Sequence, residues 1–316
     1  MLQGPLAPAS NARPMSPSIE IAEARADAET AARLSGLIAE LFAERGLIVA
    51  TREGRDGSWR IEVILPEGLA WAAVAPLIAE LHTAPLPVFR LCRLDRDAWA
   101  AAPKPALDPV RAGRFLVHDR SHRSPVRRGG TAVEIEAGLA FGTGHHATTA
   151  GCLLALDRAL KSRRFNNVLD LGCGTAILAI AAAKAARAPV LATDIDPVAV
   201  AVARKNAARN AVLPLVAFRR ADGLRDPVIA ARAPFDLVMA NILAGPLERF
   251  AKALAGFAAP GASVILSGLL TRQAERVAAR YRDAGFMLRE RLVIKEWATL
   301  TLEVPGPPSG REDAKT

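Results

Sequence analysis

The sequence predicts an α/β protein, a doubly wound and mostly parallel sheet preceded by a small α/β unit. Three observations carry this expectation. From Val168 onward, short apolar runs alternate with stretches of helical period. The first of these runs, Val168-Leu169-Asp170-Leu171, opens directly into a glycine turn, Gly172-Cys173-Gly174. Upstream, residues 19–96 hold a self-contained order of strand, helix, two strands, helix and strand.

The upstream elements follow from local pattern. Ile19 to Ala22 reads as a strand. From Asp27 to Arg45, the residues Leu34, Leu37, Ile38, Leu41 and Phe42 recur at helical spacing, and Gly46 ends the run. Leu47–Thr51 and Trp59–Leu65 are two strands around the turn-rich segment Glu53-Gly54-Arg55-Asp56-Gly57. A second helix follows Gly68, and Val88–Leu94 is the last strand. This βαββαβ order is that of a ferredoxin-like sandwich. Nothing in it has the pattern of a catalytic site, so its expected task is substrate recognition.

Residues 97–112 carry Pro103, Pro105 and Pro109 and read as a semi-rigid linker. Arg114–His118 and Val133–Glu136 are strand-like. Between them lies a loop at 119–130 holding Arg120, Arg123, Arg127 and Arg128. The catalytic unit is expected at 113–303. Its strands are Val168–Leu171, Val190–Asp194, Leu215–Arg219, Leu237–Ala240 and Ser263–Ser267. Its helices lie near 176–187, 197–209, 246–257 and 271–284, and Leu292–Ile294 with Ala298–Glu303 form a terminal hairpin. Residues 1–18, with Met15 as an alternative start, read as a disordered leader, and 304–316 as a disordered tail.

Composition excludes several classes. No apolar run approaches the ~18 residues of a membrane helix. Cys92, Cys152 and Cys173 form no C-x-x-C pair, so neither a disulfide framework nor a structural zinc is expected. His145 and His146 are adjacent and point apart, with no carboxylate at ligand spacing, so no metal is expected. A cytoplasmic protein is the reading. The net charge of +9 is uneven: from Ile19 to Ala100 nine arginines face thirteen acids, so the excess lies elsewhere. Such a basic half suits a ribonucleoprotein, although only seven of the 41 basic residues are lysine, which also marks a compositional bias.

The residues that carry chemistry cluster at predicted strand ends. The Gly172 and Gly174 turn lets backbone approach a ligand and opens a helix whose free N–H groups face it. By itself it equally suits a dinucleotide or a plain tight turn. Ala176 stands where a third glycine would complete the fingerprint, and its small size is tolerated. Asp170, two residues ahead of the first glycine, is placed to face an amino group. Asp194, ending Leu191-Ala192-Thr193-Asp194, can accept from both hydroxyls of a ribose. Asp196 before Pro197 fits a helix N-cap. Asn241 ends the fourth strand, where its carbonyl can accept from an attacking amine and aim the nitrogen lone pair; a turn-forming Asn is the alternative. The run Gly138-Leu139-Ala140-Phe141-Gly142-Thr143-Gly144 precedes Thr148-Thr149, which opens a helix. It lacks the Gly-Lys-Ser/Thr ending of a phosphate loop.

On these stretches the chain resembles the PrmA family, methyltransferases of large-subunit ribosomal protein eleven. The matching segments are Gly138 to Thr149, Val168 to Gly174, Asp194 to Pro197 and Asn241-Ile242-Leu243-Ala244-Gly245-Pro246. Ser267-Gly268-Leu269, Gln273-Ala274-Glu275 and Glu296-Trp297 also match. The resemblance covers roughly residues 97–303. It departs at Ala137, His145, Ala147 and Thr175-Ala176, where the family usually carries Pro, Thr, Pro and Ser-Gly.

The resemblance implies a class I, Rossmann-like methyltransferase using S-adenosylmethionine. Its implied cofactor contacts fall on Thr149, Gly172, Asp194 and Asn241, beside Asp170 and Gly174 from the turn itself, with Asn241 the catalytic candidate. It implies methylation of lysine side chains and the N-terminal amine of a large-subunit ribosomal protein; the basic charge of this half adds proximity to ribosomal RNA as an expectation. The same chemistry on another protein's lysine or on RNA is the alternative, prompted by the basic loop. A nicotinamide-dependent oxidoreductase would need an acid/base pair after the fourth strand, and none is visible. A non-catalytic nucleotide-binding protein would have no use for both Asp194 and Asn241.

Overall fold

The computed structural model describes residues 18–41, 47–54, 56–65, 69–81, 85–95, 109–120, 125–135 and 147–306. Residues 1–17 of the expected leader, most of the linker, residues 307–316 of the expected tail and the glycine-rich run with His145 and His146 lie outside these residues, while Ser18, read as the end of the leader, already belongs to a strand. The chain divides into two compact units, Met1–Pro103 and Lys104–Thr316.

The first unit contains β1 (Ser18–Ala26), α1 (Ala28–Leu41), β2 (Ile48–Glu53), β3 (Trp59–Leu65), α2 (Trp71–Leu81) and β4 (Arg90–Asp95). Its strands pair antiparallel in the order β2-β3-β1-β4. Alternation puts Ala22, Ile61, Val63 and Leu65 into one apolar core with Leu34, Ile38, Val74 and Ile78 of the helices. Asp27 starts α1 by accepting the Thr30 N–H.

The second unit begins with a three-stranded sheet of β5 (Val110–Ala112), β6 (Phe115–His118) and β7 (Thr131–Glu134). Next come α3 (Ala147–Ser162), β8 (Val168–Leu171), α4 (Ile177–Ala186), β9 (Val190–Asp194), α5 (Pro197–Arg209) and β10 (Val216–Arg220). The remainder is α6 (Pro227–Arg232), β11 (Phe235–Asn241), α7 (Ala244–Ala255), β12 (Ala258–Leu270), α8 (Thr271–Asp283), β13 (Met287–Ile294) and β14 (Trp297–Glu303).

Strands β8 to β14 form one sheet in the order β10-β9-β8-β11-β12-β14-β13. Every neighbouring pair from β10 to β12 is parallel, while β14 runs antiparallel to both β12 and β13. The sheet is therefore mixed, with β14 the reversed strand. Strand order reverses at β8, whose neighbours are β9 and β11. In open α/β sheets the crevice at the carboxyl ends of such strands is where ligands bind. Apolar layers cover both faces. Val168, Leu237, Met239 and Ile265 pack with α3 and α4, while Leu169, Val238, Leu266 and Leu300 pack with α7 and α8.

Two elements escaped the sequence reading. Strand β5 lies inside the segment read as linker; at three residues it is too short for any periodicity. Helix α6 has its signal in plain view, since Asp226 accepts from Val228 N and Pro227 sits at the first turn. The hairpin strand β13 also starts five residues earlier than expected. Its exposed residues include Met287, Arg289, Arg291 and Val293, which mark an edge strand guarded by charge rather than a buried run.

Candidate functional site

The carboxyl ends of β8, β9 and β11 converge where the strand order reverses. The glycine turn after β8 is held by β9: Gly172 and Cys173 both donate their N–H groups to the Thr193 carbonyl, each at 2.8 Å. Gly174 N–H donates to Asp194 Oδ2 at 2.8 Å. Gly172 and Gly174 take φ of 73° and 52°, a region that favours glycine. A Cβ at Gly172 would also overlap Ile242 Cγ2. The turn is thus built by tight packing as well as by conformation.

Ala176 adopts φ 65°, ψ 26° at the N-cap of α4. Small size is not all that this position asks for. A left-handed backbone costs an L-residue roughly 1–2 kcal/mol, so the absent third glycine is a conformational departure. Asn206, fully buried on α5, steadies the turn by donating to the Thr175 carbonyl at 3.0 Å. Asn210, one helical turn on, donates to the Glu134 carbonyl and accepts the Glu134 N–H. This Asn pair was missed from sequence; two amides four apart on a packed helix face were the available signal.

Asp170 is 1% exposed. Its Oδ2 accepts the Ala179 N–H at 2.9 Å, and burial, helped by the nearby Asp194, pushes its pKa up to about 7. Asp194 is held between two backbone donors, Gly174 N–H and Asp196 N–H (3.0 Å to Oδ1). Burial raises its pKa, and those hydrogen bonds oppose the rise. A carboxylate has about four lone-pair sites, so these backbone donors leave acceptor capacity for a ligand hydroxyl. Asp196 caps α5 by accepting Val198 N–H, as its place before Pro197 suggested.

Asn241 ends β11. Its Nδ2 donates to Thr149 Oγ1 at 3.3 Å, and its Oδ1 is buried with no partner. Thr149 is 2% exposed in the first turn of α3. A buried carbonyl without a donor is costly, and such an atom commonly marks a place where a ligand completes the structure. Thr193 Oγ1 is likewise buried and unpartnered. Asp222, which the sequence reading did not single out, lies exposed just past the end of β10.

The expected site residues therefore fall into two groups at one sheet edge. Asp170, Gly172, Gly174 and Asp194 surround the turn after β8, and Thr149 and Asn241 pair beside it. Cys152 and Cys173 do not add a nucleophile, because burial pushes both thiols far up and keeps them protonated. Among the described residues, no cluster of three or more metal-ligating side chains occurs.

Comparison with known proteins gives a consistent set of relatives. The family model for ribosomal protein L11 methyltransferase (PrmA) matches residues 48–304. A ribosomal protein L11 methyltransferase of Rhodopseudomonas palustris (strain BisB5) is 45% identical over 280 residues, covering 87% of this chain and 94% of the relative. One from Mesorhizobium japonicum is 50% identical over 217 residues, covering 69% and 74%. The crystal structure of the ribosomal protein L11 methylase from Lactobacillus delbrueckii subsp. bulgaricus superposes with a TM-score of 0.57 at 28% identity. It covers 63% of this chain and all of that one.

Proposed function

The chain belongs to the ribosomal protein L11 methyltransferase (PrmA) family, and on that footing we propose that it is an S-adenosylmethionine-dependent protein N-methyltransferase. The proposed substrate is large-subunit ribosomal protein L11, methylated on lysine side chains and on its N-terminal amine. The observation that carries the reading is the buried, unpartnered Oδ1 of Asn241.

The residues fit the cofactor. A turn narrowed to glycine at Gly172 and Gly174 admits close approach, Asp194 keeps acceptor capacity for ribose hydroxyls, and Asp170 is a buried acid suited to an ammonium. When bound, S-adenosylmethionine supplies a methyl group already activated on a positive sulfonium. This chain's task is then mainly positioning. Thr149 holds the Asn241 amide so that Oδ1 faces away from it. That oxygen accepts an N–H of the incoming amine and fixes its lone-pair direction. A lysine amine of pKa ~10.4 must arrive neutral, which burial beside a positive charge favours.

The remaining assignments belong to the same reading. Residues 19–96, read as a ferredoxin-like domain, dock the protein substrate, and 113–303 carry the chemistry. The exposed Arg120, Arg127 and Arg128 suit the neighbourhood of ribosomal RNA. No helix among the described residues is long and apolar enough to cross a membrane, in keeping with a cytoplasmic enzyme.

The test separates binding from chemistry. Asn241→Ala should lower the single-turnover rate of methyl transfer to L11 far more than it weakens cofactor affinity. Asn241→Asp, which keeps the acceptor, should retain more of the rate. Equal losses in affinity and rate would reduce Asn241 to a cofactor contact and remove the proposed guide.

A further inference from the structure

Helix α3 lies on the sheet across three neighbouring strands, β11, β12 and β14. Its first turns meet each of them through a different residue. On β11, Asn241 Nδ2 donates to Thr149 Oγ1 at 3.3 Å. On β12, Ser267 stands beside Asn241 in register, and its hydroxyl is within hydrogen-bonding reach of the Cys152 thiol. On β14, Thr299 meets Gly151, where a Cβ would overlap the Thr299 hydroxyl. Helix geometry accounts for the division. Successive residues turn about 100°, so Thr149 and Gly151 face opposite flanks of α3, and Cys152 points between them toward the sheet. Thr149, Cys152, Ser267 and Thr299 are all buried.

The Thr299 hydroxyl is fixed in place. Ser267 Oγ donates its one proton to the Ala298 carbonyl at 3.0 Å. The 2.9 Å bond between the two hydroxyls is therefore donated by Thr299 Oγ1. That bond holds Thr299 in one rotamer, with Oγ1 filling the place a side chain at 151 would take.

The contact on the other flank has no slack. At 3.3 Å the Asn241–Thr149 bond already exceeds the usual ~2.7–3.2 Å, and a few tenths more breaks it. Whatever sets the lateral place of α3 therefore also sets the Asn241 amide. Without the Thr299 hydroxyl, α3 is free to settle toward β14, away from Asn241.

We infer that Thr299, held by Ser267 and seated on Gly151, is a positioning residue for methyl transfer: it fixes α3 laterally and so keeps Thr149 on the Asn241 amide. The inference rests on the reading of Asn241 as the amine guide. Gly151 belongs to the device, because its bare Cα is what lets the hydroxyl act as the stop.

The experiment measures kcat and KM for methyl transfer to L11, and S-adenosylhomocysteine affinity, for the wild type, Thr299→Ser, Thr299→Ala and the double variant Gly151→Ala with Thr299→Ala. Thr299→Ser keeps the hydroxyl and should stay near the wild-type kcat. Thr299→Ala should lower kcat roughly two- to tenfold, the worth of one hydrogen bond, and move S-adenosylhomocysteine affinity far less. In the double variant a methyl on the helix replaces the hydroxyl on the strand, 3.3 Å from the Cβ at 299, and kcat should return most of the way. No hydrogen bond to Ser267 is regained there, so the recovery reports the spacing of α3 and not the lost bond.

The Asn241 side-chain amide reports the same event without chemistry. It is followed by NMR after asparagine-selective isotope labelling and assigned by its loss in Asn241→Asp. Its resonances should move in Thr299→Ala and return in the double variant. Resonances that stay put in Thr299→Ala, or fail to return in the double variant, overturn the inference. So does a lowered kcat that the double variant does not recover. Resonances that move and return while kcat holds at the wild-type value throughout would leave the stop standing and overturn the amine-guide reading of Asn241.

Discussion

Thr149 and Asn241, 92 residues apart, share a hydrogen bond that decides which way the amide points: Nδ2 donates to the Thr149 hydroxyl at 3.3 Å, and Oδ1 is left without a donor. Thr149→Val keeps the shape and removes the acceptor. The amide then loses its orientation, and kcat for methyl transfer should fall about tenfold, a hydrogen bond's worth. Thr149→Ser should keep the rate near that of the wild type. Rapid-quench rates for both variants, beside cofactor affinity, check this. A Val variant as fast as the Ser variant would show that the hydroxyl does not orient the amide.

Asp194 joins two tasks. It accepts the Gly174 N–H, which shapes the turn, and in the proposed reading also the ribose hydroxyls. Asp194→Ala should weaken S-adenosylmethionine binding by about ten- to a hundredfold, from lost charged hydrogen bonds worth ~1.5–3 kcal/mol. Calorimetric titration of a variant with an intact near-ultraviolet dichroism spectrum measures it. Unaltered affinity would sink the assignment.

Asp170 makes the stability of the cofactor-free protein sensitive to pH. Its folded pKa, pushed up to about 7, lies above the 3.8 of the unfolded chain. Between those values the folded state keeps a proton that the unfolded state has lost, so stability falls as pH rises through the window. Asp194, Cys152 and Cys173 face the same group, and none of them supplies a compensating positive charge. Asp170→Asn mimics the protonated form. Its melting temperature should match the wild type near pH 4 and exceed it increasingly toward pH 8. The same variant should bind S-adenosylmethionine more weakly, because the proposed partner of the ammonium is gone. Melting curves over this range, with and without cofactor, separate the two effects.

Gly268 and Gly285 both have positive φ, 85° and 92°, but different surroundings. A Cβ at Gly268 would overlap the backbone of Ile242, the residue after Asn241, whereas Gly285 has open space. Gly268→Ala should therefore cost roughly 2–5 kcal/mol, from strain and overlap together. Gly285→Ala should cost only about 1 kcal/mol, strain partly offset by a less flexible unfolded chain. Urea unfolding of the two variants tests the difference. Equal costs would mean that β12 yields to the added methyl.

What the sequence determined by itself was local. The βαββαβ order, Trp59–Leu65, Val168–Leu171, Val190–Asp194 and the 197–209 helix are set by side-chain periods and by caps such as Asp196-Pro197, and these act within a few residues. The glycine turn was legible for the same reason, because two glycines after a buried strand leave few conformations open. Tertiary structure alone decided what those residues do to one another. The Asn241 amide is oriented from a helix at Thr149. Ile242 is confined between Gly172 and Gly268, and Ala176 is held left-handed where its size alone seemed to matter. Asp170 becomes a near-neutral acid only once α4 closes over it. Thr299 comes beside Ser267 only because β14 enters the sheet reversed beside β12. Each depends on contacts between residues distant along the chain. Packing selects such contacts only when the layers close, so they leave no period or spacing to read.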